Sequence, residues 1–106
     1  MFTEAHKSLA LDFARALADR DYAGAHRMCS PELQSRIGVD ALREQFEVMI
    51  PPDWGLVDPI ELEESNVFPF VYIVLGGAVY SEAIIIHAFE AEDDLLAIDN
   101  FEFGRP

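Results

Sequence analysis

Cysteine is almost missing from this chain. Cys29 is the only one in 106 residues, so no intrachain disulfide framework can hold the fold. Positive charge is almost missing from one half. Residues 1–53 carry 9 acidic and 6 basic side chains, whereas residues 54–106 carry 11 acidic ones and a single base, Arg105. Such a half repels phosphate backbones and anionic bilayers, so neither nucleic acid nor membrane is an expected partner. Long apolar runs are missing too. The longest stretch free of charged, serine and asparagine side chains, residues 67–80, contains Pro69 and Gly76-Gly77 and is too short to span a bilayer. Glu4 and Lys7 stand where a secretory leader needs a basic and then an apolar stretch, so the expected location is cytoplasmic. Nucleotide-binding and hydrolase signatures are absent: Gly76-Gly77 joins strand-like segments rather than opening a helix. His6, His26 and His87 lie at no recognised ligand spacing, so no metal and no cofactor is expected.

What is present suits one domain over residues 1–106. Half the chain is hydrophobic (51%), enough to bury roughly 60–70% of the unfolded surface. The apolar period changes near residue 53, from helical to strand-like. Thr3 caps a first helix over Glu4–Ala18, with Leu9, Phe13, Ala16 and Leu17 as its stripe. Asp21 caps a second over 22–28. Ser30-Pro31-Glu32 is a start signal for a third, ending at Arg36-Ile37-Gly38. Asp40 caps a fourth over 41–50, and Pro51-Pro52 stops it. Four strands follow, over 56–63, 68–75, 78–91 and 95–103. Helices followed by an antiparallel meander make an α+β domain.

Loop lengths predict the register. A two-residue turn at Gly76-Gly77 pairs Leu75 with Ala78 and Tyr72 with Ser81. A three-residue loop at Glu92–Asp94 pairs Ala91 with Leu95 and His87 with Asp99. One face then collects Phe68, Phe70, Tyr72, Ser81, His87, Phe89, Asp99, Phe101 and Phe103. The other collects Ile73, Ile84, Ile86 and Ile98, rimmed by acids. The aromatic face is expected to take the helices. The aliphatic face is expected to meet a second copy, giving a homodimer. A one-residue slip would scramble this assignment.

The order Leu9-x3-Phe13-x3-Leu17, Asp21-Tyr22-x2-Ala25, Gly38-x-Asp40-Ala41-Leu42-x3-Phe46 and Leu96-x-Ile98-x-Asn100-Phe101-Glu102 resembles the nuclear transport factor 2-like superfamily over nearly the whole chain. The resemblance implies N-terminal helices packed in the concave face of a curved four-stranded sheet, a pocket between them, and frequent dimerisation through the outer face. It implies no single activity, since members include isomerases, dehydratases, cyclase-like enzymes, transport adaptors and immunity proteins. The isomerase branch places a tyrosine on its first helix, and no inward position here supplies one.

Three functions remain open. The first is a non-catalytic binding or interaction module, accessory or immunity-like, whose acidic half meets a basic protein. The second is a carrier of a small apolar ligand, with a pocket of Trp54, Phe68, Phe70, Tyr72, Ser81, Phe89 and Phe101. The third is an isomerase-, dehydratase- or cyclase-type enzyme with His87 as base and Asp99 as its orienting acid; the same pair also reads as satisfied buried polar groups. Asp40 is similar in placement to pocket acids of the superfamily, but its spacing suits a helix cap. Tyr22 is read as packing, His26 as exposed, and Cys29 as a small buried hydrophobe.

Overall fold

In the computed structural model, residues 3–55, 57, 60–63, 71–77, 81–92 and 95–104 are described. The helices are α1 (Glu4–Ala18), α2 (Tyr22–Arg27), α3 (Pro31–Arg36) and α4 (Val39–Met49), followed by a 3-10 turn at Pro52–Trp54. The strands are β1 (Ile60–Glu63), β2 (Val71–Gly76), β3 (Ser81–Glu92) and β4 (Leu95–Gly104), antiparallel in the order β1-β2-β3-β4. The protein is an α+β domain with its helices before its strands.

Local chemistry starts each helix. Thr3 accepts from the His6 amide while the His6 ring accepts from the Thr3 amide, a capping box closed by histidine rather than the usual glutamate. Asp21 accepts from Gly24 N–H at 3.0 Å, and Ser30 Oγ from Leu33 N–H at 3.1 Å. The fourth helix differs from expectation. Gly38 is its N-cap and Asp40 lies inside its first turn, where a carboxylate favours the positive helix end without closing it.

Arg20 ends α1 in the left-handed region, at φ 63°. The Arg20 N–H bonds Leu17 O, and the Asp21 N–H bonds Ala16 O at 2.8 Å, which is a Schellman closure with arginine where glycine is usual. The side chain offsets that strain. Its guanidinium donates to Ile50 O at 3.0 Å and lies 5.2 Å from the Phe46 ring centroid, neutralising an orphan carbonyl at the end of α4. Arg20→Ala is therefore expected to lose about 2–3 kcal/mol by urea unfolding. Arg20→Gly should lose about 1 kcal/mol less, because glycine relieves the backbone. Equal losses would show that the turn carries no strain.

The two halves meet in one core. Phe13, Leu17, Leu42, Phe46 and Ile50 from the helical side, and Ile73, Leu75, Ile84, Ile86 and Ile98 from the sheet, are all fully buried. The helices thus cover the aliphatic face, reversing the expected assignment. Ile73, Ile84, Ile86 and Ile98 are inaccessible to a second copy.

The register accounts for the reversal. Gly76 pairs with Ser81 and Leu75 with Glu82, so the β2–β3 connection is longer than two residues and Tyr72 opposes Ile85 instead of Ser81. That shift is even and leaves the faces of β2 and β3 unchanged. The β3–β4 connection shifts by an odd step. Glu92 pairs with Leu95 across a two-residue link, Ile86 opposes Phe101 and Ile84 opposes Phe103. One residue of slip turns Phe101 and Phe103 onto the isoleucine face. There, Phe101 meets Phe13 at 5.2 Å and Phe103 meets Phe46 at 5.7 Å between ring centroids.

Candidate functional site

The register runs Ile86↔Phe101, Ala88↔Asn100, Phe89↔Ile98. It passes over one residue on each strand, and those two residues are His87 and Asp99. Bulges re-aim side chains, and here they send the expected pair to different partners. The His87 ring is partly exposed and its Nε2 lies 3.2 Å from Glu102 Oε1. Asp99 Oδ1 accepts from Ser30 Oγ at 2.6 Å, while its carbonyl accepts from Arg36. Ser30 is fully buried, and with one oxygen it caps α3 and ties that helix to β4. The two residues expected to pair as acid and base are instead separated: His87 meets Glu102 at the surface, and Asp99 is a structural clamp on α3.

The loop before α3 also docks on β4. Ser30 N–H donates to Ile98 O at 2.7 Å and Ile98 N–H donates to Met28 O at 2.9 Å. This is a parallel bridge on the outer edge of the sheet. Cys29 sits within it, and burial pushes its thiol up from 9.0 to about 11. The neutral thiol is inert as a nucleophile at physiological pH. Its raised value favours the folded state below the unfolded thiol's range. That contribution is lost as pH rises from about 9 to about 11. Cys29→Ala should flatten this part of the stability–pH profile, leaving the smaller fall that Tyr22, also raised by burial, contributes with the same sign. An unchanged profile would remove Cys29 as its source.

His26 is half-buried and its Nε2 lies 2.9 Å from Ile37 O, so it closes the end of α3 instead of standing exposed. Tyr22 is buried as expected and donates to Glu47 at 2.8 Å.

An open cleft of about 890 Å³ lies between α4 and the C-terminal part of β4. One wall is Ala41, Glu44, Gln45, Val48 and Met49, a single helical face. The other is Phe101, Glu102, Phe103 and Gly104, with Trp54 and Glu82 completing the lining. Val48 is 79% exposed and Trp54 39%, so apolar surface stands open at the cleft. Glu82 is a buried carboxylate, 5% exposed. Three carboxylates and no lysine or arginine line this space among the described residues. Low-dielectric walls lined by one sign of charge concentrate the field and attract cations.

Of the expected pocket residues, Trp54 and Phe101 line the cleft. Phe89 packs instead on His6, with ring centroids 4.7 Å apart. Ser81 is exposed at the start of β3. Phe68, Phe70 and the side chain of Tyr72 lie outside the described residues. Asp40 borders a smaller hollow on α4 with Arg43 and Glu47. Glu82 was legible as an acid in phase with Ile84 and Ile86. Val48 and Gln45 carried no such signal, since both lie on the polar side of the α4 pattern.

Among the described residues, no group of three or more histidine, cysteine or acidic side chains is placed to hold a metal. Among those residues, too, no helix is long and apolar enough to cross a membrane. No family model, curated protein or solved structure matches the chain.

Proposed function

We propose that the protein is a non-catalytic binding module whose α4–β4 cleft receives a positively charged partner. The observation that supports this is the lining itself: Glu44, Glu82 and Glu102 stand among Trp54, Phe101 and Phe103. Carboxylates attract a cation from a distance, and aromatic faces hold it at contact. The overall charge of −13 adds a long-range field of the same sign. A homodimer and the nuclear transport factor 2-like relationship are compatible with this reading, and neither is needed for it.

A small-ligand role is a second reading, favoured by a cleft volume within the range of ligand sites. The isomerase-type alternative loses the His87–Asp99 unit it was built on, since the two residues take separate partners.

Titration of isotope-labelled protein with tetralysine tests the proposal by nuclear magnetic resonance. Saturable shifts are expected at the Trp54 indole and the amides of residues 101–104. Replacing Glu82 and Glu102 together by glutamine should weaken binding about tenfold, as expected for losing two charge contacts. Shifts spread evenly over the acidic surface would remove the cleft from the argument.

A further inference from the structure

We infer that the cleft takes an extended basic segment of a partner protein, which adds a strand to the outer edge of β4. The inference rests on the binding role proposed above and specifies its occupant. Successive residues of a strand point to opposite faces. A cleft that touches Phe101, Glu102, Phe103 and Gly104 in unbroken succession therefore reaches the strand's edge as well as the inner face, where Glu82 of β3 lines it. Among the described residues β4 is the last strand of the sheet, with β3 as its one strand neighbour.

The protein already shows that this edge accepts a chain. The Met28–Ser30 backbone bridges to Ile98, and Arg36 takes the carbonyl of Asp99. Beyond that point, among the described residues, no backbone bond from outside the sheet reaches residues 100–104. An exposed edge of this kind is a template for another chain. The facing wall is α4, so an added strand would lie between helix and sheet edge.

Charge selects the occupant. Phe101 and Phe103 are on the core side of β4, in register with Ile86 and Ile84, and Glu102 is on the opposite side. An added strand would alternate accordingly: apolar side chains toward the phenylalanines and α4, basic ones toward Glu102. A second copy of this chain is a poor occupant, because its own β4 edge carries the same acids and each copy has a net charge of −13.

The test uses a fluorescein-labelled hexapeptide of alternating lysine and valine, followed by anisotropy. Two relatives serve as controls: one N-methylated at every second backbone nitrogen, the other with glutamate for lysine. The parent is expected to bind, more weakly as salt is raised, and to slow amide exchange within residues 101–104. N-methylation should weaken it about tenfold or more, because two or more ladder hydrogen bonds are lost. The glutamate peptide should not bind. Equal affinity of parent and N-methylated peptides would overturn strand addition while leaving a cation-binding cleft intact. Binding of spermidine in place of the peptide would point to a small amine and overturn it as well. Failure of every cationic probe, tetralysine included, would remove both this inference and the binding role beneath it. Self-association through β4 in the absence of peptide would replace the partner by a second copy.

Discussion

Ile84→Lys is expected to abolish the folded state, whereas Ile85→Lys should leave most of its stability in place. The two positions are neighbours in one strand and differ only in the face they occupy. Ile84 is fully buried, opposite Ile73 and Phe103. A lysine there loses about 2 kcal/mol of apolar burial and places an ammonium among isoleucine and phenylalanine, at several kcal/mol more. Domains of this size have only about 5–15 kcal/mol to lose. Ile85 is half-buried on the other face, opposite Glu102. A lysine there keeps its head in water and gains an opposite charge across the strands, so the cost should stay below about 2 kcal/mol. Urea unfolding followed by circular dichroism separates the two. The reverse order of effects would restore the register in which Ile85 faces the helices.

The second large effect is expected at Phe46. Its ring is fully buried and packs edge-on against Phe103 at 5.7 Å and Tyr22 at 6.2 Å, with the Arg20 guanidinium over it. Phe46→Ala should lose about 3–5 kcal/mol, the sum of lost transfer energy and a cavity the helices cannot close. In a domain of this length that lowers the melting temperature by about 15 °C or more. Phe46→Leu keeps most of the volume and should lose less than half as much. The contact with Phe103 gives the position a second consequence. Phe103 lines the α4–β4 cleft, so loosening its support should also weaken peptide binding under conditions where the variant is still folded. A Phe46→Ala variant that melts within a few degrees of the parent would mean that the core is packed differently.

The helical half was readable because its instructions are local. Thr3, Asp21 and Ser30-Pro31 each satisfy backbone groups within three residues of themselves, and Pro51-Pro52 removes donors where α4 must stop. Asp40 was misassigned by two residues, because a capping acid and a first-turn acid differ only in the backbone angles of their neighbours. The strands were readable as strands for a related reason: their two-residue period is written in each segment alone.

Register was not readable, because it is a comparison between segments. The Asp93-Asp94 region can be bridged by a two- or a three-residue link, and the one-step difference, combined with the bulge at His87 and Asp99, turns Phe101 and Phe103 over while Ile98 keeps its face. The outcome depends on which solution buries more apolar surface beneath α1 and α4. Phe101 and Phe103 gain ring contacts with Phe13 and Phe46 only in the observed one. His87 and Asp99 were paired by extending a regular ladder through the one place where the ladder is irregular. No side-chain type at 87 or 99 announces a bulge, and its position follows from the docking of the Met28–Ser30 loop and the rest of the fold.

The sequence by itself thus determined the starts of the first three helices, the α+β order, the acidity of the second half and the absence of an intrachain disulfide. These follow from hydrogen-bond donors, periodicity and charge that belong to single segments. Only the tertiary structure decided which face of the sheet is inside, where His87 and Asp99 point, and that three carboxylates share a cleft with Trp54 and two phenylalanines. Those depend on contacts between residues tens of positions apart, whose energies favour one register over another only when helices and sheet are packed together.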